Sequence, residues 1–246
     1  TRVTQSPCIF ALGPCGDLGP RRGYVGGVSV ADQNGRWLAY AALSALESMG
    51  PPATDYRYQG PVVSGATLGV WRDSDFSDER RGQVSCFAGG THTIELPLRP
   101  RPEPAALRVE MDQWQARQKE ADEAGDPIAA RDFGAQAERA RRWLGRLAAL
   151  PEGTTYRYGF SVYRLGDAFW VTCGGEPYNQ LQTELRKRFS DKAILVCPVS
   201  GDPSVAYLLP RDRDGQGLYQ EEPSILATGR LENVIDSIAE QITALL

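Results

Sequence analysis

The sequence predicts an α/β protein, a mixed sheet with flanking helices and an inserted αα-hairpin. Three observations carry this prediction. From Tyr156 onward the pattern runs strand, helix, strand, helix, the rhythm of strands joined by helical crossovers. On either side of Gly125-Asp126-Pro127, two long stretches place apolar residues at helical spacing. The 246 residues are 41% hydrophobic and 24% charged, ordinary globular proportions that can bury a core without disulfides or metal. The chain reads as one domain, 1–246, with the helical hairpin inserted at 105–150.

Taken in order, an apolar run at 8–12 predicts a first strand, followed by the glycine-rich turn Gly13-Pro-Cys-Gly-Asp-Leu-Gly-Pro20. Leu38, Ala42, Leu43 and Leu46 recur at helical spacing and predict a helix over 36–46. Strands are expected at 66–71 and 91–98, the second alternating Thr, Ile, Leu and Leu against His, Glu and Pro. The polar stretch 73–82 between them reads as loop. Pro97, Pro100, Pro102 and Pro104 forbid a helix before Ala105. Leu107, Met111, Trp114 and Ala121 then share one helical face, and Ala137, Ala140, Leu144 and Leu147 share a second. Between them lie a C-cap glycine, an N-cap aspartate and a first-turn proline, the chemistry of a hairpin turn. The charged outer faces read as solvated surface, with no catalytic residue expected in this insertion. Further on, 156–165 and 168–173 are strands joined by Gly166-Asp167. A helix follows at 177–189, a buried strand at 193–197, and an amphipathic helix at 231–246. The runs 8–12, 168–173 and 193–197 are apolar throughout, so three adjacent strands buried on both faces are expected.

Charge and composition exclude several functions. With 27 basic and 31 acidic residues the net charge is −4, so no cationic field invites nucleic acid or anionic lipid. No apolar stretch approaches the ~18 residues of a membrane span. The chain opens on Thr1 with no basic segment leading into an apolar one, so a signal peptide is absent or removed. The start reads as that of a fragment or processed chain, and the last helix as a natural end. Five cysteines, none in a C-x-x-C pair, give no zinc-ribbon or thioredoxin spacing. Cys173 and Cys197 lie in apolar runs and read as buried free thiols, whereas a Cys8–Cys15 bridge requires the intervening loop to fold back. No asparagine begins an N-x-S/T sequon.

The single histidine, His92, cannot complete a triad without a nearby nucleophile, and there is no G-x-S-x-G elbow. One histidine is also too few for common zinc sites. Neither a Walker A pattern nor G-x-G-x-x-G is present. Two stretches are sharper. In 13–20, glycines and prolines flank Asp17, which suits a tight loop carrying backbone amides to a ligand; an ordinary surface turn is the alternative. Gly174-Gly-Glu176-Pro stands where an apolar strand ends and a helix begins, the place where ligands collect in open α/β sheets. Glu176 there can reach a metal, act as a base, or simply favour the helix dipole. The next strand leads similarly into Gly201-Asp-Pro-Ser-Val-Ala-Tyr207.

In this order the blocks resemble the neutral (non-lysosomal) ceramidase family, especially its bacterial ceramidase-like branch. The segment 10–20 resembles its strand plus G-D-x-S-P loop. Arg164-Leu-Gly-Asp167 with Gly174-Gly-Glu176-Pro resembles its "L-G-D … P-G-E" block. The segment 199–207 with Tyr219-Gln-Glu221 resembles its "N-x-x-x-x-Y … Y-E" block. The likeness spans about residues 9–246, loosest over the helical hairpin, and corresponds to the C-terminal half of the family's catalytic domain.

The resemblance implies a zinc-dependent hydrolase of amide C–N bonds, acting on the N-acyl group of a lipid or lipid-like small molecule. It implies zinc held by Glu176 and Tyr207 together with two histidines of an N-terminal half lying outside this chain. Tyr207 would also assist the developing oxyanion, and Gly16, Asp17 and Gly19 would form the substrate loop. Secretion or a periplasmic location is implied as well. Three departures stand out: the family's catalytic serine is Gly19, its asparagine is Asp202, and His92 matches neither histidine motif. With Gly19 in place, hydrolysis would use zinc-activated water. The alternative is a catalytically inactive ceramidase-like binding or interaction domain. A carbohydrate or phosphate site using Arg21 and Arg22 is a third reading.

Overall fold

The computed structural model describes residues 4–246. In chain order the elements are α1 (Val28–Glu47), β1 (Thr54–Ser64), β2 (Ala66–Asp75), α2 (Asp78–Val84), β3 (Phe87–Pro97), α3 (Pro104–Glu123) and α4 (Pro127–Ala149). There follow β4 (Thr155–Leu165), β5 (Ala168–Cys173), β6 (Glu176–Pro177), α5 (Gln180–Arg188), β7 (Ala193–Cys197), β8 (Tyr207–Leu208) and α6 (Leu231–Ala244). The fold is α/β.

A four-stranded mixed sheet in the order β3-β4-β5-β7 organises the body. β3, β4 and β5 are antiparallel neighbours, and β5 pairs β7 in parallel, α5 lying between them in sequence. Alternate residues face inward because side chains along a strand have period two. Tyr158, Phe160 and Val162 of β4, Phe169 and Val171 of β5, and Ile194 and Val196 of β7 are thereby buried together. Leu181 and Leu185 of α5 cover them, with Leu231, Val234, Ile235, Ile238 and Ile242 of α6. Burying each such aliphatic side chain contributes roughly 1.5–3 kcal/mol, so α6 is the main clamp on the sheet. Arg164 of β4 fixes its far end by donating to the carbonyls of Leu245 and Leu246 at 2.7 and 2.9 Å.

The helical hairpin forms as its turn chemistry requires. Asp126 accepts from the backbone N–H of Ile128 and Ala129, and Pro127 occupies the first turn. Gly125 adopts φ 72° at the end of α3, a conformation that costs glycine little. Leu107, Ala140 and Trp143 join the body's core, so the hairpin packs on the sheet's inner side through its apolar faces.

Several expectations are corrected. Residues 8–12 form no strand: Ile9 and Phe10 are 85% and 71% exposed, because no neighbouring strand completes their backbone hydrogen bonds. β5 alternates between buried and half-buried residues and β7 between exposed and buried ones until Val196 and Cys197, both buried, so the strands are not apolar-covered on both faces throughout, because the helices gather on the inner side. The stretch 73–82 is the end of β2 followed by the start of α2, capped by the Ser77 hydroxyl accepting from Arg80 N–H. The first helix begins at Val28, and α5 begins only after Glu176 and Pro177 have formed a two-residue strand. β3 starts at Phe87 and places His92 on the same face as Ile94 and Leu96, its ring 5.6 Å from Phe160. All five cysteines are free, Cys173 and Cys197 being buried. Among the described residues no helix is long and apolar enough to cross a membrane.

Candidate functional site

Glu176 and Tyr207 stand directly opposite one another in the parallel β6–β8 ladder. The ladder is pinned by Glu176 N–H donating to Ala206 O at 2.6 Å and Tyr178 N–H donating to Leu208 O at 3.1 Å. Each residue follows an unusual backbone. Gly175 has φ 68°, and a Cβ there would lie 2.7 Å from Ala206 O, so the strands approach this closely only with glycine. Ala206 has φ 57° and ψ −99°, a sparsely populated conformation costing about 1–3 kcal/mol for a residue with a side chain. Strain of that kind concentrates where a fold must present particular groups.

The chain around Tyr207 is held from several sides. The buried Ser224 hydroxyl donates to Tyr207 O at 2.8 Å, and the Tyr219 ring meets the Tyr207 ring edge-on at 6.0 Å. Tyr158 donates its hydroxyl to Gly174 O at 2.9 Å and so fixes the strand end before Glu176. Burial pushes the Tyr207 phenol up to about 12, helped by the negative charge of Glu176 and by hydrogen bonding to it. At neutral pH the Tyr207 phenol beside Glu176 therefore keeps its proton. Cys15 lies close enough to feel the same charge: burial first, then Glu176 and Asp17, raise its thiol. Burial and these two negative charges therefore disfavour the Cys15 thiolate.

The loop 13–20 reaches this ladder although the strand expected before it is missing. Gly16 N–H donates to Pro177 O at 3.0 Å, and Gln220 Nε2 donates to Gly16 O at 3.0 Å. Asp17 Oδ1 accepts from Asn179 N–H at 2.7 Å, capping α5 across the chain in place of Asn179's own side chain, which makes no capping bond. A Cβ on Gly16 would collide with Glu176 O, so only glycine lets the loop dock. The Gly16 amide thereby serves Pro177 and is not offered to a ligand. Gly19 is exposed, with nothing within 4 Å of the place its Cβ would occupy.

The other singled-out residues lie elsewhere in the fold. Asp202 caps the turn at Pro203–Val205 by accepting from Ser204 N–H and also accepts from the Tyr156 hydroxyl. Gly166 and Asp167 make the β4–β5 turn, where Asp167 pairs with Arg80 of α2. Arg22 donates to Gln33. His92 belongs to β3 and forms no metal cluster, and no group of three or more His, Cys, Asp or Glu suited to a metal exists among the described residues. The Gln220 contact with Gly16 and the effect of the Glu176 charge on Cys15 are not legible in sequence, because each exists only after distant segments meet. Arg139, Arg142 and Arg146 belong to the charged face of the hairpin, and their spacing puts them on one side of α4, where they border a cavity of about 410 Å³ with Tyr219.

No protein-family model, curated protein or solved structure matches this chain.

Proposed function

We propose that this chain contributes Glu176 and Tyr207 to a zinc-dependent amide hydrolase acting on the N-acyl bond of a lipid-like substrate. The observation that carries the reading is the carboxylate and phenol meeting at paired strand ends, each after a conformationally demanding residue. Two oxygen donors match half of the four-ligand shell usual for zinc, and the remaining ligands come from outside these 246 residues. When bound, zinc supplies Lewis acidity toward the amide carbonyl. Tyr207 keeps its proton up to about pH 12 and can donate a hydrogen bond to the carbonyl oxygen as charge develops there. Glu176 orients that hydroxyl. Asp17 and Gly16 hold the loop and α5 in place beside the pair. Because Gly19 offers no nucleophile, the attacking oxygen is that of water.

A second reading, a binding domain without catalysis, is favoured by Gly19 and by the use of the Gly16 amide within the backbone. Equilibrium dialysis of the full-length protein against zinc, with Glu176→Gln and Tyr207→Phe, tests the ligand assignment; binding unchanged in both variants overturns it. Hydrolysis of N-acyl substrates by the parent and by Gly19→Ser separates the readings. Parent activity that survives serine-reactive inhibitors supports the water route. Activity only in Gly19→Ser, which the open space at Gly19 accommodates, indicates a fold that has lost its chemistry.

A further inference from the structure

The helical hairpin carries a feature that the Glu176–Tyr207 pair does not use. On α4, Arg139, Arg142 and Arg146 line one side of a half-open cavity of about 410 Å³ that Tyr219 and Glu222 also line. Two of these arginines have carboxylate partners. Arg139 pairs with Glu110 and lies 4.0 Å from Glu222, and Arg142 donates to Glu138 at 2.8 Å. Arg146 has none among the described residues: its guanidinium lies over the Trp143 ring, 5.6 Å from the centroid. Arg99 also lies over that ring, 5.7 Å from the centroid, and the indole N–H is anchored on Glu222 at 2.8 Å. Arg146 is therefore half-buried against an aromatic ring and lines the cavity, feeling the charge of Glu222 but with no carboxylate in ion-pair contact among the described residues.

A guanidinium presents five N–H donors in a planar fork that matches oxyanions, and leaving them unmet in a partly desolvated place is costly. The cavity lining holds three arginines against Glu138 and Glu222, both already engaged, so its balance favours an anion. Tyr219, 67% exposed, adds a hydroxyl and a flat apolar face at the mouth. Its ring also touches Tyr207, so the cavity adjoins the candidate site.

We propose that Arg146, with Arg142 and Tyr219, forms an oxyanion-binding subsite that receives a phosphate, sulfate or carboxylate group carried by a small molecule. The hairpin is then a recognition element and not only packing. The subsite requires neither metal nor hydrolysis, so it stands or falls separately from the reading of Glu176 and Tyr207.

The test is calorimetric titration of the full chain with inorganic phosphate, inorganic sulfate and acetate at low salt, followed in parallel by tryptophan fluorescence. Arg146→Met keeps an apolar cover on Trp143 while removing the charge, and its fold is checked by circular dichroism. The expected result is at least a tenfold rise in Kd and loss of the fluorescence change in Arg146→Met, with partial recovery in Arg146→Lys. Arg131→Gln, an exposed site paired with Asp132, should bind like the parent. Phenyl phosphate against inorganic phosphate shows whether Tyr219 contributes, through a further loss in Tyr219→Ala for the aromatic ester only. Equal binding by parent and Arg146→Met overturns the subsite. So does an equal loss in Arg131→Gln, which would mark the binding as general charge attraction.

Discussion

Replacing Gly16 with alanine should detach the 13–20 loop from the Glu176–Tyr207 ladder while the rest of the fold persists. The new methyl group would collide with Glu176 O and lie 3.1 Å from the carbonyl carbon and oxygen of Pro177, all of them backbone atoms that cannot swing aside. Three hydrogen bonds depend on the docked position: Gly16 to Pro177, Gln220 to Gly16, and Asn179 to Asp17. The two neutral ones contribute about 0.5–1.5 kcal/mol each and the one to a carboxylate about 1.5–3 kcal/mol. Asp17 is exposed, water replaces part of each bond, and freeing the loop returns conformational entropy, so the net loss falls below the low-end sum of about 2.5 kcal/mol. A loss of about 1–2 kcal/mol in urea unfolding is expected, bounded above by what docking itself contributes. Two local readouts should move with it. Limited proteolysis should cut near Arg21 and Arg22 faster, and the Tyr207 phenol should titrate below its present value of about 12 as its burial is relieved. Gly19→Ala is the control, with open space around it and an expected effect within about 0.5 kcal/mol. If Gly16→Ala and Gly19→Ala prove equally stable and equally resistant to protease, the loop is not docked as described.

Other expectations follow from the same contacts. Glu176→Gln should lower the Tyr207 pKa without restoring an ordinary tyrosine, because burial is the larger cause; ultraviolet titration against Tyr207→Phe reads it. Since the folded-state pKa of Tyr207 is raised, its contribution to stability is full below about pH 10 and is lost as pH rises toward about 12, which denaturation midpoints across that window should show. Ile238→Ala on α6, at 0% exposure, should cost about 2–5 kcal/mol in chemical denaturation. Asp167→Asn should cost no more than about 1 kcal/mol despite its short pairing with Arg80, because the carboxylate is 54% exposed.

The body of the fold was legible where one rule governed each segment. The hairpin turn at Gly125-Asp126-Pro127, the alternation of β4 and the apolar stripe of α6 all declare themselves locally. Residues 8–12 misled because an apolar run says nothing of whether a partner strand exists. β5 and β7 misled because Trp170, Thr172 and Leu195 look like core residues until the helices are seen to gather on one side. For the candidate site, Glu176 stands out from its place after a strand, and Tyr207 enters through the family resemblance. The Asp17 cap on α5 and the Gln220 contact with Gly16 were not, since each joins segments separated by 162 and 204 residues.

The segment from α1 to β2 presents the opposite problem, apolar sequence without a covered face. α1 is twenty residues long and rich in alanine and leucine, yet none of its residues is buried. In the β1–β2 hairpin the aromatic cluster of Tyr56, Tyr58 and Trp71 packs on itself and stays exposed. An isolated helix needs about 12–15 good residues merely to be marginal in water, and Gly35 within α1 subtracts about 1 kcal/mol. A two-stranded hairpin alone is likewise marginal. Among the described residues neither element has a buried face, the usual source of helical stability. Amide hydrogen exchange on the chain by itself should therefore show α1, β1 and β2 opening at free energies near zero, while β4, β5 and α6 exchange only through global unfolding. Protection of α1 equal to that of α6 in a monomeric sample would contradict the exposed placement of this segment. Protection that rises with protein concentration would instead show that a second copy covers it.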